Sequence, residues 1–266
     1  MKSDGGSEKK MEMAKKLINW KLFLILLIAS SCSAVAVLPY TLTLQADLLK
    51  EVPVPLSVLL LVQIIQSVIL FAVFIFIGLS LSKRVGLGLP ILESWLEGKE
   101  VKGYFQSILG ISIILGVLVG IIIIGLDFLF SIIGVQITIA QVAPPVWQGF
   151  LASFYGGIGE EIAIRLFLMT LLVWIFYKIR RTEDDKPTNI GMWLAIIITA
   201  VLFGIGHLPI TAALTTITPL VVARAILLNG IAGIAFGWLY WKKGLESAMI
   251  AHFSADILLH VILPLF

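Results

Sequence analysis

The sequence contains seven apolar runs, and each is long enough to cross a lipid bilayer as a helix. A hydrocarbon layer of ~30 Å needs about 20 residues at a helical rise of ~1.5 Å. Backbone polar groups find no water in lipid, so such runs satisfy their hydrogen bonds internally. We therefore predict an all-α fold, a polytopic transmembrane helical bundle of about seven to eight spans. The predicted spans are 21–39, 57–81, 105–133, 146–177, 190–208, 218–241 and 246–264.

Composition agrees with this interpretation, because 59% of the residues are hydrophobic and only 13% are charged. A soluble domain of 266 residues could not bury so much apolar surface, so lipid is the expected solvent. The single cysteine, Cys32, excludes an internal disulfide. The basic residues lie at the edges of apolar runs, which indicates membrane topology, and no nucleic-acid partner is predicted.

The distribution of basic residues predicts the orientation. Alternating the spans from an inside N-terminus puts fifteen of the 19 Lys and Arg residues in inside loops and only Lys50 in an outside loop. This bias favours the N-terminus in and the C-terminus out. We expect an integral, multi-pass protein of the cell membrane if prokaryotic or of the endoplasmic reticulum if eukaryotic, with an uncleaved first helix.

Three regions follow from this pattern. They are a polar cytoplasmic tail at 1–20, N-terminal transmembrane helices at 21–145 with an interfacial segment near 90–102, and a helical core at 146–266. The core holds most of the charged residues that lie inside predicted spans. A charge at the centre of a membrane helix costs ~2.5–3.5 kcal/mol on insertion scales, so each one requires a reason.

The densest polar cluster follows a glycine-rich stretch in the fourth predicted span. Glu161 and Arg165 are four residues apart and can pair on one helix face. Neighbouring helical residues point about 100° apart, so Glu160 and Glu161 are not expected to serve one point. Glu160 then remains a carboxylate without a local partner, suited to taking a proton from water.

Two later spans carry the histidines. Phe203 and His207 lie one turn apart at the end of the fifth span. In the seventh span His252, Asp256 and His260 recur every four residues and predict a polar stripe on an otherwise apolar helix. Asp256 can fix the tautomer of a neighbouring histidine.

These residues resemble the three motifs of the type II CAAX prenyl endopeptidases, which are also called the CPBP or abortive-infection family. The matching residues lie on separate spans in the family's order, within 147–266. They are Glu160-Glu161-x-x-x-Arg165, Phe203-x-x-x-His207 and His252-x-x-x-Asp256.

The resemblance implies a CPBP-like catalytic core at 146–266 and a glutamate-dependent intramembrane endopeptidase that removes the last three residues of a prenylated CAAX-type protein. In this scheme Glu160 and His207 activate water, while His252 and Asp256 stabilise the oxyanion or orient the site. Glu161, Arg165 and Phe203 are structural support. The family often has Asn at position 256, and since an ionised Asp cannot donate to an oxyanion, orienting His252 is the role expected of Asp256. The implied partners are the lipid bilayer and a lipidated or hydrophobic C-terminal peptide.

Three alternatives stay open at the level of sequence. The first is a non-catalytic peptide-binding, immunity or maturation factor of the same fold. The second is an ion or proton transporter with a relay through charged residues that include Asp127 and Arg224. The third is a zinc enzyme with Glu160, His207 and His252 as ligands, although no cofactor is predicted.

One inconsistency concerns depth. Glu160 and His207 lie 17 residues from the predicted inner ends of their spans, whereas His252 lies only about seven from its own. Either the helix ends differ from those predicted, a helix is tilted or broken, or His260 lies nearer the chemistry than the motif implies.

Overall fold

The computed structural model of the protein describes residues 18–135 and 144–266, and these form helices and loops without a β-strand. Most of the predicted polar tail lies outside the described residues. Seven helical stretches are long and apolar enough to cross a membrane, which confirms the predicted bundle. The first to seventh spans are Trp20–Leu44, Leu56–Val85, Lys102–Ile132, Val146–Ile179, Asn189–Ala212, Pro219–Lys243 and Leu245–Leu265.

Several spans are built from more than one helical segment. The regular α-helices are Trp20–Ala36, Leu38–Leu44, Ala46–Glu51, Leu56–Ser82, Pro90–Leu96, Lys102–Ile132, Val146–Phe154, Thr170–Ile179, Asn189–Gly206, Leu208–Ala212, Pro219–Lys243 and Leu245–Asp256. Wider π-helical segments cover Tyr155–Glu160, Ile162–Met169 and Ile257–Ile262. Two of these lie in the fourth span and one in the seventh, so the irregular backbone is found in the spans that carry the candidate acids. Such segments are frequent at functional sites.

The seventh span packs closely against the third because small residues line the contact. A Cβ added to Gly116 would collide with the Ala251 carbonyl, and one added to Gly120 would meet Leu258. The hydroxyls of Ser112 and Ser247 are hydrogen-bonded at 2.7 Å across the same contact. Lipid provides little hydrophobic drive for helix association, so close backbone approach and buried hydrogen bonds hold such helices together.

Small residues also bring the fifth and sixth spans together. Gly233 lies against Ala200, Gly237 against Ile196, and Gly204 against the backbone of Ile226. Gly116 and Gly120 in the third span, like Gly233 and Gly237 in the sixth, are pairs of glycines four residues apart, and both pairs are packing contacts.

A short helix at Pro90–Leu96 connects the second and third spans, inside the segment predicted to be interfacial. The buried Glu246 carboxylate accepts hydrogen bonds from the backbone N–H groups of Ile91 and Leu92 at 3.0 and 2.9 Å. A carboxylate at a helix N-terminus satisfies backbone donors that the helix itself leaves unpaired. This contact fixes the beginning of the seventh span to the short helix.

The fourth span extends beyond the Lys243 end of the sixth, which explains the part of the inconsistency in depth that concerns Glu160. The hydroxyls of Thr170 and Tyr240 are hydrogen-bonded at 2.9 Å, and Tyr240 lies only three residues before the sixth span ends at Lys243. The fourth span continues for nine more residues to Ile179, about 14 Å at helical rise. Counting from that end placed Glu160 too deep relative to His252.

Candidate active site

His252 is the centre of the polar cluster inside the bundle. It lies on the seventh span with 5% of its surface exposed. Its Nδ1 is 2.7 Å from Oε1 of Glu161, whose side chain is fully buried on the fourth span. The Phe236 ring stacks on the imidazole with the ring centroids 4.9 Å apart. Ring orientation and the Nδ1 partner are therefore both fixed, and Nε2 is directed elsewhere.

Two further carboxylates face that second nitrogen. Glu160 Oε2 and Asp256 Oδ1 each lie 3.7 Å from His252 Nε2. The sequence predicted no partner for Glu160 within its own helix, and the group that it faces, His252, comes from the seventh span. The two adjacent glutamates do not serve one point, because they face different nitrogens of this imidazole. An imidazole offers nitrogens on two edges, and the helix around both glutamates is π-helical, so successive side chains diverge by less than the usual 100°.

Arg165 lies behind Glu161 as its counter-charge. Nη1 of Arg165 is 3.2 Å from Oε1 of Glu161, as predicted for this pair, and both side chains are almost completely buried. The contact has the distance of an ion pair without the geometry of a hydrogen bond. The guanidinium donates instead from Nη2 to the Gly233 carbonyl at 3.3 Å and lies 5.1 Å from the centre of the Phe203 ring. Aromatic faces and a carbonyl thus help to stabilise the buried cation.

His207 is the residue that caps the fifth-span helix ending at Gly206. Its Nδ1 lies 2.8 Å from the Phe203 carbonyl, and since a carbonyl only accepts, this nitrogen carries the proton. Phe203 contacts the rings of both His207 and His252, with centroids 4.7 and 5.8 Å apart. With the proton on Nδ1, Nε2 is the nitrogen that can accept one. Within the described part of the chain, no hydrogen bond or ion pair joins His207 to Glu160.

The glycines before Glu160 open the space around these groups. A Cβ on Gly156 would collide with the Asp256 carboxylate and would lie 3.1 Å from His252 Nε2. A Cβ on Gly157 would press on Phe253 and on the Met249 carbonyl. Gly157 therefore allows the fourth and seventh spans to approach closely, and Gly156 leaves room beside the acids.

His260 lies apart from His252, one helical turn beyond Asp256, and pairs with the first span. The Tyr40 hydroxyl is 3.2 Å from His260 Nδ1, and the two rings meet edge to face at 5.5 Å. Both residues are partly buried. Sequence analysis did not identify Tyr40, because no local pattern connects positions 220 residues apart.

Two other sequence predictions concern charges and metals. Arg224 Nε donates to Asp127 Oδ1 at 2.5 Å, so these two charges pair with each other across the third and sixth spans. In the described ranges no three His, Cys, Asp or Glu side chains are arranged to hold a metal ion.

The direct contact between Glu161 and His252 does not follow from the sequence motif. The motif gave Glu161 only a supporting role through Arg165, whereas the structure places one carboxylate oxygen against both the guanidinium and the imidazole. The available signal was the pair of adjacent glutamates itself, since burying two carboxylates is costly unless each one has a partner.

Comparison with known proteins adds one finding. Residues 142–258 match the family model described as type II CAAX prenyl endopeptidase Rce1-like. Neither the curated proteins nor the solved structures that were compared include a match to the chain. The matched segment includes Glu160, Glu161, His207, His252 and Asp256 and ends two residues before His260. Residues 142–258, somewhat less than half of the chain, are therefore similar to the type II CAAX prenyl endopeptidase Rce1-like family.

Proposed function

We propose that the protein is an intramembrane endopeptidase that hydrolyses a peptide bond near the C-terminus of a prenylated, CAAX-type protein. The observation that supports this proposal is the arrangement of three carboxylates around His252. One of them lies at Nδ1 and the other two face Nε2. This cluster lies within spans of a multi-pass membrane protein, where a lipid-modified C-terminus can reach it from the bilayer.

Glu160 is the general base in this scheme. Among the three carboxylates it is the most accessible, with 24% of its side chain exposed against 14% for Asp256 and none for Glu161. Glu160 takes a proton from water as the water oxygen attacks the scissile carbonyl carbon, and the proton then passes to the leaving amine. His207 shares this task, because its proton-bearing Nδ1 is occupied by Phe203 and its Nε2 remains an acceptor.

His252 stabilises the tetrahedral intermediate. The Glu161 carboxylate on Nδ1 favours a positively charged imidazole, whose Nε2–H then faces the developing oxyanion. The distances of 3.7 Å from Nε2 to Glu160 and Asp256 exceed hydrogen-bond length, as is common before substrate binds.

The charge balance supports this assignment. Glu160, Glu161 and Asp256 carry three negative charges when ionised, and Arg165 supplies one positive charge. Burying uncompensated charge in an apolar interior is costly. A proton held on His252 or Asp256 lowers that cost and provides the donor that the oxyanion needs.

The test is cleavage of farnesylated and unmodified C-terminal peptides by purified protein, with and without a chelator. We expect the farnesylated peptide to be cleaved, and Glu160→Gln to lower the rate by about 10²–10⁴ while chelation has no effect. Glu183→Gln, in the exposed loop after the fourth span, is the matched control and keeps the wild-type rate. Full activity of Glu160→Gln, or no cleavage of any peptide by folded protein, would overturn the proposal and favour a non-catalytic binding protein.

A further inference from the structure

The Tyr40–His260 pair has no role in the proposed mechanism, although it continues the polar stripe of the seventh span. His260 follows Asp256 by one turn of the same span, and Asp256 Oδ1 lies 3.7 Å from His252 Nε2. All of the stripe except His252 keeps part of its surface accessible. The pair and the candidate catalytic residues therefore belong to one polar, partly accessible stripe of the bundle interior.

The π-helical segment aligns His260 with His252. In a regular α-helix eight steps of ~100° leave the two side chains about 80° apart. The last four of these steps fall at the start of the π-helical segment Ile257–Ile262, where roughly 4.4 residues per turn give about 80° per step. The sum is close to two full turns, so both histidines lie on nearly the same face.

The distance between the two histidines along the helix is similar to the length of a peptide of three extended residues. Eight residues at ~1.5 Å give at most about 12 Å along the axis, and slightly less through the π-helical part. Three extended residues span about 10–11 Å. A peptide bond held at His252 and Glu160 thus puts a C-terminal carboxylate three residues later beside His260.

Either Tyr40 or His260 can donate a hydrogen bond to such a carboxylate, whichever of the two residues donates the hydrogen bond between them. If the Tyr40 hydroxyl donates to Nδ1 of His260, then Nε2 carries a hydrogen, and if Nδ1 donates, the hydroxyl hydrogen is free. Glu160 and Glu161 lie at the opposite end of the stripe, beside His252, where they repel a terminal carboxylate and favour this orientation. In apolar surroundings a carboxylate requires such a donor.

We propose that Tyr40 and His260 bind the C-terminal carboxylate of the substrate and thereby fix the released peptide at three residues. This inference rests on the proposed endopeptidase function, and it adds residues that lie outside the segment matched to the family.

The first test measures equilibrium binding to the Glu160→Gln variant, so that cleavage does not interfere. The probes are a farnesylated peptide with three residues after the cysteine, as the free carboxylate and as the C-terminal amide. We expect the carboxylate form to bind about tenfold to a hundredfold more tightly, the range of one charge-assisted hydrogen bond. In the Glu160→Gln background, Tyr40→Phe and His260→Ala reduce this preference by about tenfold, and His260→Gln, which keeps a donor, retains part of it. Equal binding of the two probes, or an unchanged preference in both Tyr40→Phe and His260→Ala, overturns the proposal.

The second test uses catalysis and peptide length. Wild type should cleave peptides with three residues after the cysteine about tenfold faster than those with two or four, and Tyr40→Phe should lose this discrimination. Tyr104→Phe is the control, because its hydroxyl contacts Lys243 at the other end of the bundle. Cleavage without length or carboxylate preference refutes the anchor and leaves the peptidase, whereas carboxylate-selective binding without any cleavage refutes the peptidase and leaves the anchor.

Discussion

Replacing Glu160 should abolish cleavage with little effect on stability, whereas replacing the adjacent Glu161 should lower the stability of the protein. Glu161 is fully buried between Arg165 and His252, so Glu161→Ala leaves a buried guanidinium without its counter-charge and Nδ1 of His252 without an acceptor. Removing one partner of a buried ion pair costs about 3–5 kcal/mol. The lower end applies here, because Arg165 keeps the Gly233 carbonyl and the Phe203 ring.

A loss of about 3 kcal/mol corresponds to a fall in Tm of about 6–12 °C for a chain of this size. Thermal unfolding of purified protein in detergent measures it. Glu160→Gln, which is isosteric and replaces a partly exposed side chain, should change the free energy of unfolding by less than about 0.5 kcal/mol while abolishing cleavage.

A double variant tests the electrostatic cause. Arg165→Met alone leaves the Glu161 carboxylate buried without its guanidinium, and we expect a cost similar to that of Glu161→Ala. Combining Arg165→Met with Glu161→Ala removes both charges and should recover about 2 kcal/mol relative to the sum of the two single variants. Additive losses, or equal Tm shifts for Glu160→Gln and Glu161→Ala, would show that the buried charge pair does not determine stability.

Three further outcomes are expected. Gly156→Ala inserts a methyl group against the Asp256 carboxylate and should reduce kcat at least tenfold, whereas Gly125→Ala, which meets nothing within 4 Å, should leave kcat unchanged. Asp256→Asn keeps the shape and adds a permanent N–H donor, so cleavage at neutral pH should be retained or increased; loss of cleavage with unchanged Tm would show that a carboxylate is required there. Arg224→Gln breaks the ion pair with Asp127 and should lower the free energy of unfolding by about 1 kcal/mol without altering kcat, because the Asp127 side chain is 46% exposed; a changed kcat would connect this pair to the active site.

The sequence alone was sufficient to predict the architecture, because lipid imposes a strict requirement on any chain that crosses it. Each apolar run must form a helix of a minimum length, so the ends of the seven spans were predicted to within a few residues. The same requirement made buried charges conspicuous. It identified the residues that gather around His252, and the i,i+4 spacing predicted the pairing of Glu161 with Arg165.

Only the tertiary structure decided which atoms meet. Spacing along a regular helix predicted that Glu160 and Glu161 diverge, and a π-helical segment, which no local propensity indicated, brought both to one imidazole. The contact of Tyr40 with His260 depends on how the first span packs against the seventh. Whether a segment forms a helix across lipid depends on the length of its own apolar run, which can be read from the local sequence. The register between helices is specified by small residues and buried hydrogen bonds distant in the chain, so it follows only from packing the complete bundle.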